Sequence, residues 1–390
     1  MRRYERYKDS GVAWVGKIPV GWKVTKLRQI FTERSTKVSD KDYPALSVGY
    51  MGVVPQLDTA AKTENGDNRK LICKGDFAIN SRSDRKGAGG ISEYIGSASM
   101  IITVIKPHEN INGKFYHYLL RSHYFSEEFY RNGRGLVADL WTTRWDTMRN
   151  ILSPLPPLSE QNQIVNFLDY KVSRIDKLIS IRQRQITELE DLKKTIISKA
   201  VTKGDWKRVR LKNLVKLISE KTSSPNLKYI GMENIESWTG KFIETEEIIP
   251  ESVSNKFYKG DILFGKLRPY LAKVFLAPSD GICSSEFLVL RSKEFEAKFL
   301  RYCLISYKFI DVVNSSTYGA KMPRANWQFI GNCLLPVPSL AEQNQIAAYL
   351  YKKCAQIDKA ISNTQRQIAE LNDLKARLIS DAVTGKIDIR

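Results

Sequence analysis

The sequence predicts an α+β architecture: two globular segments alternate with two long helices that pack as an antiparallel coiled coil, pseudo-two-fold symmetric. Three observations predict it. Residues 155–202 and 337–384 are copies, because at an offset of 182 they match at 28 of 48 positions without a gap. Apolar residues in both copies recur at helical spacings of three, four or seven. The globular segments repeat too: Trp22-Lys23 with Leu27 returns as Trp206-Lys207 with Leu211, Gly75-Asp76 as Gly260-Asp261, and Trp145 as Trp327. A period of domain size means duplication rather than a solenoid.

Taken in order, residues 1–154 form the first globular segment. Short β-rich runs such as "DFAIN" and "ASMIITVI" mix there with a helical stretch, "KFYHYLLRSHYFSEEFY". Residues 155–203 form the first helix, entered past Pro156, with Ile164, Leu168, Ile175, Ile179, Ile186 and Leu189 as its seam. Arg182 and Lys193 make that heptad imperfect. Residues 204–336 repeat the globular plan with "DILFG", "SSEFLVL" and "FEAKFLRYCLISYKFID". Residues 337–390 hold the second helix and a tail, with Ile346, Leu350, Ile357, Ile361, Ile368 and Leu371 as seam. Ser339 and Glu342 make a capping box, which Pro157 denies to the first copy. About 40 helical residues give a rod of roughly 60 Å. To bury its stripe, the second rod runs back along the first, bringing the C-terminus near the start of the chain. The shared tryptophans read as packing anchors.

Composition narrows the class. The 390 residues are 42% hydrophobic and 10% aromatic, a globular balance. No run of about 18 apolar residues suggests a membrane span, and "MRRYERYKDS" does not read as a secretion signal. The five cysteines (Cys73, Cys283, Cys303, Cys333, Cys354) are scattered without a CxxC pair, which suits reduced thiols in the cytoplasm. His108, His117 and His123 have no ligand cluster around them, so no metal is expected. The net charge is +20, concentrated in the globular segments: residues 1–150 carry 25 basic against 16 acidic side chains, and 205–335 carry 20 against 14. That excess points to a polyanionic partner.

The stretch "GDILFGKLRPYLAKV" nearly spells a nucleotide-binding loop, but its interior, Asp261-Ile262-Leu263-Phe264, prefers a strand. Leu267 stands where a magnesium-binding hydroxyl belongs, and the first copy has no Gly-Lys at all. What remains is a strand followed by basic residues: Lys266, Arg268, Tyr270 and Lys273 in one copy, Arg82, Ser83, Arg85, Lys86 and the glycine-rich run 87–90 in the other. A second basic stretch precedes each rod, with Arg134, Thr143 and Arg144 in the first and Tyr318, Lys321, Arg324 and Asn326 in the second. Such residues pair phosphates or base edges, and glycines admit close backbone approach. Methyltransferase and metal-nuclease motifs are missing, so no catalytic residue is expected. A coiled-coil scaffold with nonspecific nucleic-acid binding is the alternative.

With these features in place, the chain resembles the specificity subunit of type I restriction–modification systems. The repeated "EQNQI" helix entry, "YKDSGVAWVGKIPVGWKV", "GDILFGKLRP", "GAKMPRANW", "GLVADLWTTRW" and the closing "AVTGKIDIR" carry the resemblance over the whole chain. It implies two target recognition domains, each reading one half of a split, asymmetric sequence in double-stranded DNA. The helices would act as a ruler for the unread spacer. Two methyltransferase subunits and two restriction–translocase subunits are the implied partners. S-adenosylmethionine, ATP and Mg2+ would belong to those subunits, with no cofactor on this chain.

Overall fold

A computed structural model describes residues 2–56, 66–82, 85–136, 141–222, 227–245, 254–319 and 321–389. It divides into two compact units, Met1–Ile181 with Gln367–Arg390, and Arg182–Arg366. The division falls within the long helices rather than at their ends. Each globular segment therefore shares its unit with part of both helices.

In the first unit, four antiparallel strands lie in the order Gly89–Ile91, Phe77–Asn80, Ile102–Pro107, Phe31–Glu33. A three-stranded sheet joins Gly96–Ala98, Arg69–Ile72 and Lys37–Val38, and a hairpin pairs Leu46–Gly49 with Gly52–Pro55. Lys23–Lys26 pairs with Leu152–Leu155, which brings the chain to the entrance of the first long helix. Trp22, Phe115, Phe125 and Met148 form the core with Ile164, Leu168 and Ile175 of that helix and Leu378, Ala382 and Val383 of the second. Arg2 bridges Asp388, so both chain ends meet in this unit. Gly385 ends the second helix at φ 72°, and a Cβ there would lie 2.4 Å from Pro19.

The second unit repeats this plan. Its main sheet runs Val215–Ile218, Phe287–Ser292, Ile262–Gly265, Val274–Leu276, and Arg208–Arg210 pairs with Leu334–Pro336 before the second long helix. A second sheet, Lys221–Thr222, Ser254–Phe257, Gly281–Cys283, Tyr229–Ile230, has one parallel pair. Ile197, Val201, Ala347, Leu350 and Cys354 bring both long helices into its core. The loop-like "GDILFGK" is settled here: Gly260 turns at φ 89° and Ile262–Gly265 is a buried central strand.

The long helices span Leu158–Thr202 and Leu340–Val383. Among their seam residues, Ile164, Leu168, Ile175, Leu350 and Ile357 are buried. Ile179, Ile186, Leu189, Ile346, Ile361, Ile368 and Leu371 are half-buried. Charges fix the register. Lys375 Nζ lies 2.6 Å from Asp176 in the first unit, and Lys193 Nζ 2.7 Å from Asp358 in the second. Asp176 and Asp358 are repeat equivalents, as are Lys193 and Lys375, and the pairing is antiparallel. Lys193, which interrupts the apolar pattern, is thus a buried cation with a carboxylate partner. At the second helix's start, Ser339 N–H donates to Glu342 at 2.8 Å and Glu342 N–H to Ser339 Oγ at 3.4 Å, completing the capping box.

One expectation is refined and one corrected. Each helical stretch holds two helices: Gly113–Leu120 and His123–Arg131, then Ala297–Ile305 and Tyr307–Ser315. Ser122 and Ser306 take extended backbone, ending one helix and starting the next. The run Gly87-Ala88-Gly89-Gly90 does not serve approach to a ligand throughout, since Gly89 and Gly90 are buried. A Cβ on Gly89 would lie 2.7 Å from Ala78 O, and one on Gly90 3.0 Å from Gly52 Cα.

His117 gives the first unit an acid-sensitive point. Its Nδ1 accepts the Ile91 N–H at 3.2 Å, and Arg121 Nη1 lies 3.2 Å from Nε2. Burial first, then the Arg121 cation, push the ring down to about 4, against the opposing pull of Asp169. The unfolded ring titrates near ~6.5, so the unfolded chain takes the proton first. The stability of the neutral buried ring is therefore full above that value and is lost as pH falls toward about 4. The loss is up to roughly 3 kcal/mol. His117→Gln is expected to flatten this acid limb in urea unfolding followed from pH 7 to 4.5.

Candidate nucleic-acid interface

The basic stretches singled out in the sequence meet at one junction per unit. In the first, strand Phe77–Asn80 ends and Ser81 O accepts the Thr143 N–H at 2.9 Å. Arg82 bridges Thr142, and Thr142 exchanges hydrogen bonds of 2.9 and 3.0 Å with Arg134. In the second, strand Ile262–Gly265 ends and Lys266 O accepts the Ala325 N–H at 3.0 Å. Leu267 bridges Arg324, which exchanges bonds of 3.0 and 3.2 Å with Tyr318. The two junctions have the same backbone plan and different side chains. Arg82 faces Thr142 across one bridge; Arg324 faces Leu267 across the other.

Side-chain placement sorts the candidates. Arg82, Arg85, Lys86, Arg134 and Arg144 are exposed. Lys86 Nζ sits 3.0 Å from Glu127 and 4.0 Å over the Tyr130 ring. Ser83 lies outside the described residues. Thr143 is the exception: it is 2% exposed, and its hydroxyl donates to Phe129 O at 2.7 Å. It anchors the loop and presents nothing to solvent. In the second unit, Lys321 and Tyr318 are exposed, as is Tyr270, while Lys266 is half-buried. Arg268 is half-buried in a left-handed backbone conformation at φ 48°, its N–H donated to Pro323 O at 2.7 Å. Lys273 turns inward, donating to Met232 O at 2.6 Å, and burial lowers its pKa. Arg324 is hydrogen-bonded to Glu286, which raises its pKa. Asn326 Oδ1 caps the Trp327–Asn332 helix by accepting the Phe329 N–H at 2.8 Å.

Sequence reasoning missed what the repeated Gly-Asp does. Asp76 and Asp261 are each 1% exposed. Arg34 grips Asp76 with Nε at 2.6 Å and Nη2 at 3.1 Å; Arg291 grips Asp261 with both nitrogens at 2.8 Å. The aspartates are equivalent, but the arginines are not: Arg34 follows the strand Phe31–Glu33, and Arg291 lies within the strand Phe287–Ser292. Each pair fixes the start of the strand whose other end carries the basic junction. The signal was the repeated Gly-Asp itself; its partners lie too far along the chain to be paired by spacing. Glu286, the partner of Arg324, was missed as well.

Among the described residues, no group of three or more His, Cys, Asp or Glu side chains is placed to hold a metal ion. No described helix is long and apolar enough to cross a membrane.

Residues 19–191 and 203–373 each match the type I restriction modification DNA specificity domain. The chain belongs to this family. It is similar to the type I restriction enzyme EcoDI specificity subunit of Escherichia coli, 25% identical over 422 residues, with 95% of this chain and 90% of that one covered. It is also similar to the type I restriction enzyme MjaVIII specificity subunit of Methanocaldococcus jannaschii, 27% identical over 278 residues, covering 62% and 63% of the two chains. Among solved structures, it resembles a chain described in work on complex assembly and conformational transition of the type I R-M system. The TM-score is 0.72 at 17% identity, with 94% of this chain and 98% of that one covered. The HsdS subunit from Thermoanaerobacter tengcongensis matches with a TM-score of 0.53 at 19% identity, covering 95% and 98%. The two specificity domains of the family correspond to the duplicated plan seen here, each match running from a globular segment into its long helix.

Proposed function

We propose that this chain is the DNA-reading subunit of a type I restriction–modification complex, each globular segment recognising one half of an asymmetric bipartite target. The observation that carries this is the matched pair of basic junctions: one backbone plan at the end of equivalent strands, furnished with different side chains. Diverged readers on one chain suit a target whose halves differ. Residues 1–154 and 204–336 are the proposed recognition domains, with residues 155–203 and 337–390 as spacer helices. The exposed Arg82, Arg85, Lys86, Arg134 and Arg144 are proposed contacts for one half-site. Lys266, Arg268, Tyr270, Tyr318, Lys321 and Arg324 are proposed for the other. Thr143 supports the first set from within.

The chain itself performs no chemistry in this proposal. Two methyltransferase subunits dock on it and bring S-adenosylmethionine; two ATP- and Mg2+-dependent translocase–nuclease subunits complete the assembly in the cytoplasm. Adenine methylation mapped across the genome of cells with and without the gene tests the whole reading. A split motif that disappears with the gene is expected. If no motif depends on the gene while the partner methyltransferase is active, the proposal fails. Arg268→Ala and Lys321→Ala are each expected to relax recognition in one half-site by about tenfold or more, leaving the other half unchanged. Competition binding with duplexes altered in one half at a time measures this, and a loss spread evenly over all sequences would mark a phosphate contact instead.

A further inference from the structure

Arg324 is held more firmly than a solvated surface arginine. Its backbone is bridged to Leu267 on one side and to Tyr318 on the other. Its guanidinium is held as well: Nε lies 3.1 and 3.2 Å from the two Glu286 carboxylate oxygens, and Nη2 lies 2.9 Å from one of them. Glu286 is itself fixed, since its backbone O accepts the Lys266 N–H at 2.9 Å and its N–H donates to Ser284 Oγ at 3.2 Å. The carboxylate thus occupies the Nε–Nη2 edge of the guanidinium. On the other edge, made of Nη1 and the second Nη2 hydrogen, Nη1 has a long contact of 3.5 Å to Met322 O. The side chain keeps 35% of its surface.

The pairing discriminates between two anionic partners. A phosphate attracts any cation, and a carboxylate set against the arginine weakens that attraction by neutralising the pair. A base edge is different. Guanine offers O6 and N7 as two acceptors in one plane, and a guanidinium whose plane is fixed meets them with two parallel N–H bonds. The neighbouring carboxylate costs little there, because direction matters more than net charge. In the first unit the equivalent position is Thr142, and the arginine, Arg82, stands across the bridge. The two junctions therefore present different donors at the same place.

We propose that Arg324 reads a guanine in the target and that Glu286 is its positioning residue, fixing the plane of the fork. This rests on the recognition function proposed above and adds which base is read, by which edge. The test is selection of bound duplexes from a randomised library by the full-length chain, followed by sequencing. The wild-type chain is expected to enrich a guanine at one position of one half-site. Arg324→Lys keeps the charge and removes the fork, so preference for that guanine is expected to fall about tenfold or more with other positions unchanged. Glu286→Ala is expected to lose preference at the same position, and Glu286→Gln, which retains an acceptor, to keep part of it. If Arg324→Lys lowers affinity for every sequence alike, or leaves the guanine preference intact, the assignment is overturned. If Glu286→Ala erases the entire half-site, Glu286 maintains the fold and its positioning role falls. A wild-type chain that enriches no motif at all would sink the recognition function, and this inference with it.

Discussion

Replacing Arg34 by Ala is expected to lower the stability of its unit by about 3 kcal/mol. The reason lies in what the change leaves behind. Asp76 is almost fully buried, and Arg34 supplies two charge-assisted bonds to it, while a third comes from the Cys73 N–H at 2.8 Å. Removing the guanidinium strands a carboxylate in a site water hardly reaches. Arg291→Ala exposes Asp261 to the same fate, but the Arg291 side chain is itself 42% exposed. Water can enter where it leaves, so about half the effect is expected there. Urea unfolding of the full chain should show the Arg34 change as an early transition. The double replacement Arg34→Met with Asp76→Leu is expected to recover much of the loss, since it removes both charges together. A full-length chain indifferent to Arg34→Ala would show that the pair contributes nothing net.

Inserting four residues into both long helices, after Arg182 and after Thr364, is expected to lengthen the unread spacer by about two base pairs. Both half-sites should stay the same. Four residues add about 6 Å of helix and turn it about 40° beyond a full revolution. Two base pairs add about 7 Å of duplex and roughly 70° of twist. The insertions must be paired, because Asp176–Lys375 and Lys193–Asp358 fix the register at two places. An insertion in one helix alone cannot satisfy both ion pairs without a bulge and is expected to weaken binding of the target. Mapping of methylated motifs reads the result. Changed half-sites with an unchanged gap would defeat the ruler.

Much of this fold was visible in the sequence because its signals are local or repeated. The long helices show in seam residues from Ile164 to Leu371, whose spacing needs no knowledge of partners. The strands Phe77–Asn80 and Ile262–Gly265 announced themselves through the shared Gly-Asp and the apolar run behind it. The serine breaks at Ser122 and Ser306 were also legible in principle, as caps inside a helical pattern, but the surrounding aromatics masked them. The site was less legible for a physical reason. Whether a hydroxyl or a cation faces solvent depends on contacts made far along the chain. Thr143 looks like any polar loop residue until its hydroxyl is seen to donate to Phe129 O. Lys273 looks like a neighbour of Arg268 until Met232 O draws it inward. Glu286 gains meaning only when Arg324, 38 residues later, folds back on it.

The ion pairs that set the helix register are self-complementary. A single helix, Leu158–Thr202, carries both an Asp176 and a Lys193, the same two partners that its sister offers as Asp358 and Lys375. A chain cut down to one globular segment and one helix would therefore hold both members of the ion pairs that a second copy of itself would complete. Such a pair would carry identical readers and suit a mirrored target. Joined in one chain, the two copies need not stay identical, and each segment can diverge wherever it does not pack on the helices while the ion pairs keep the same residues. Variety in what the protein recognises is thus separated, residue by residue, from the constancy of how its halves assemble.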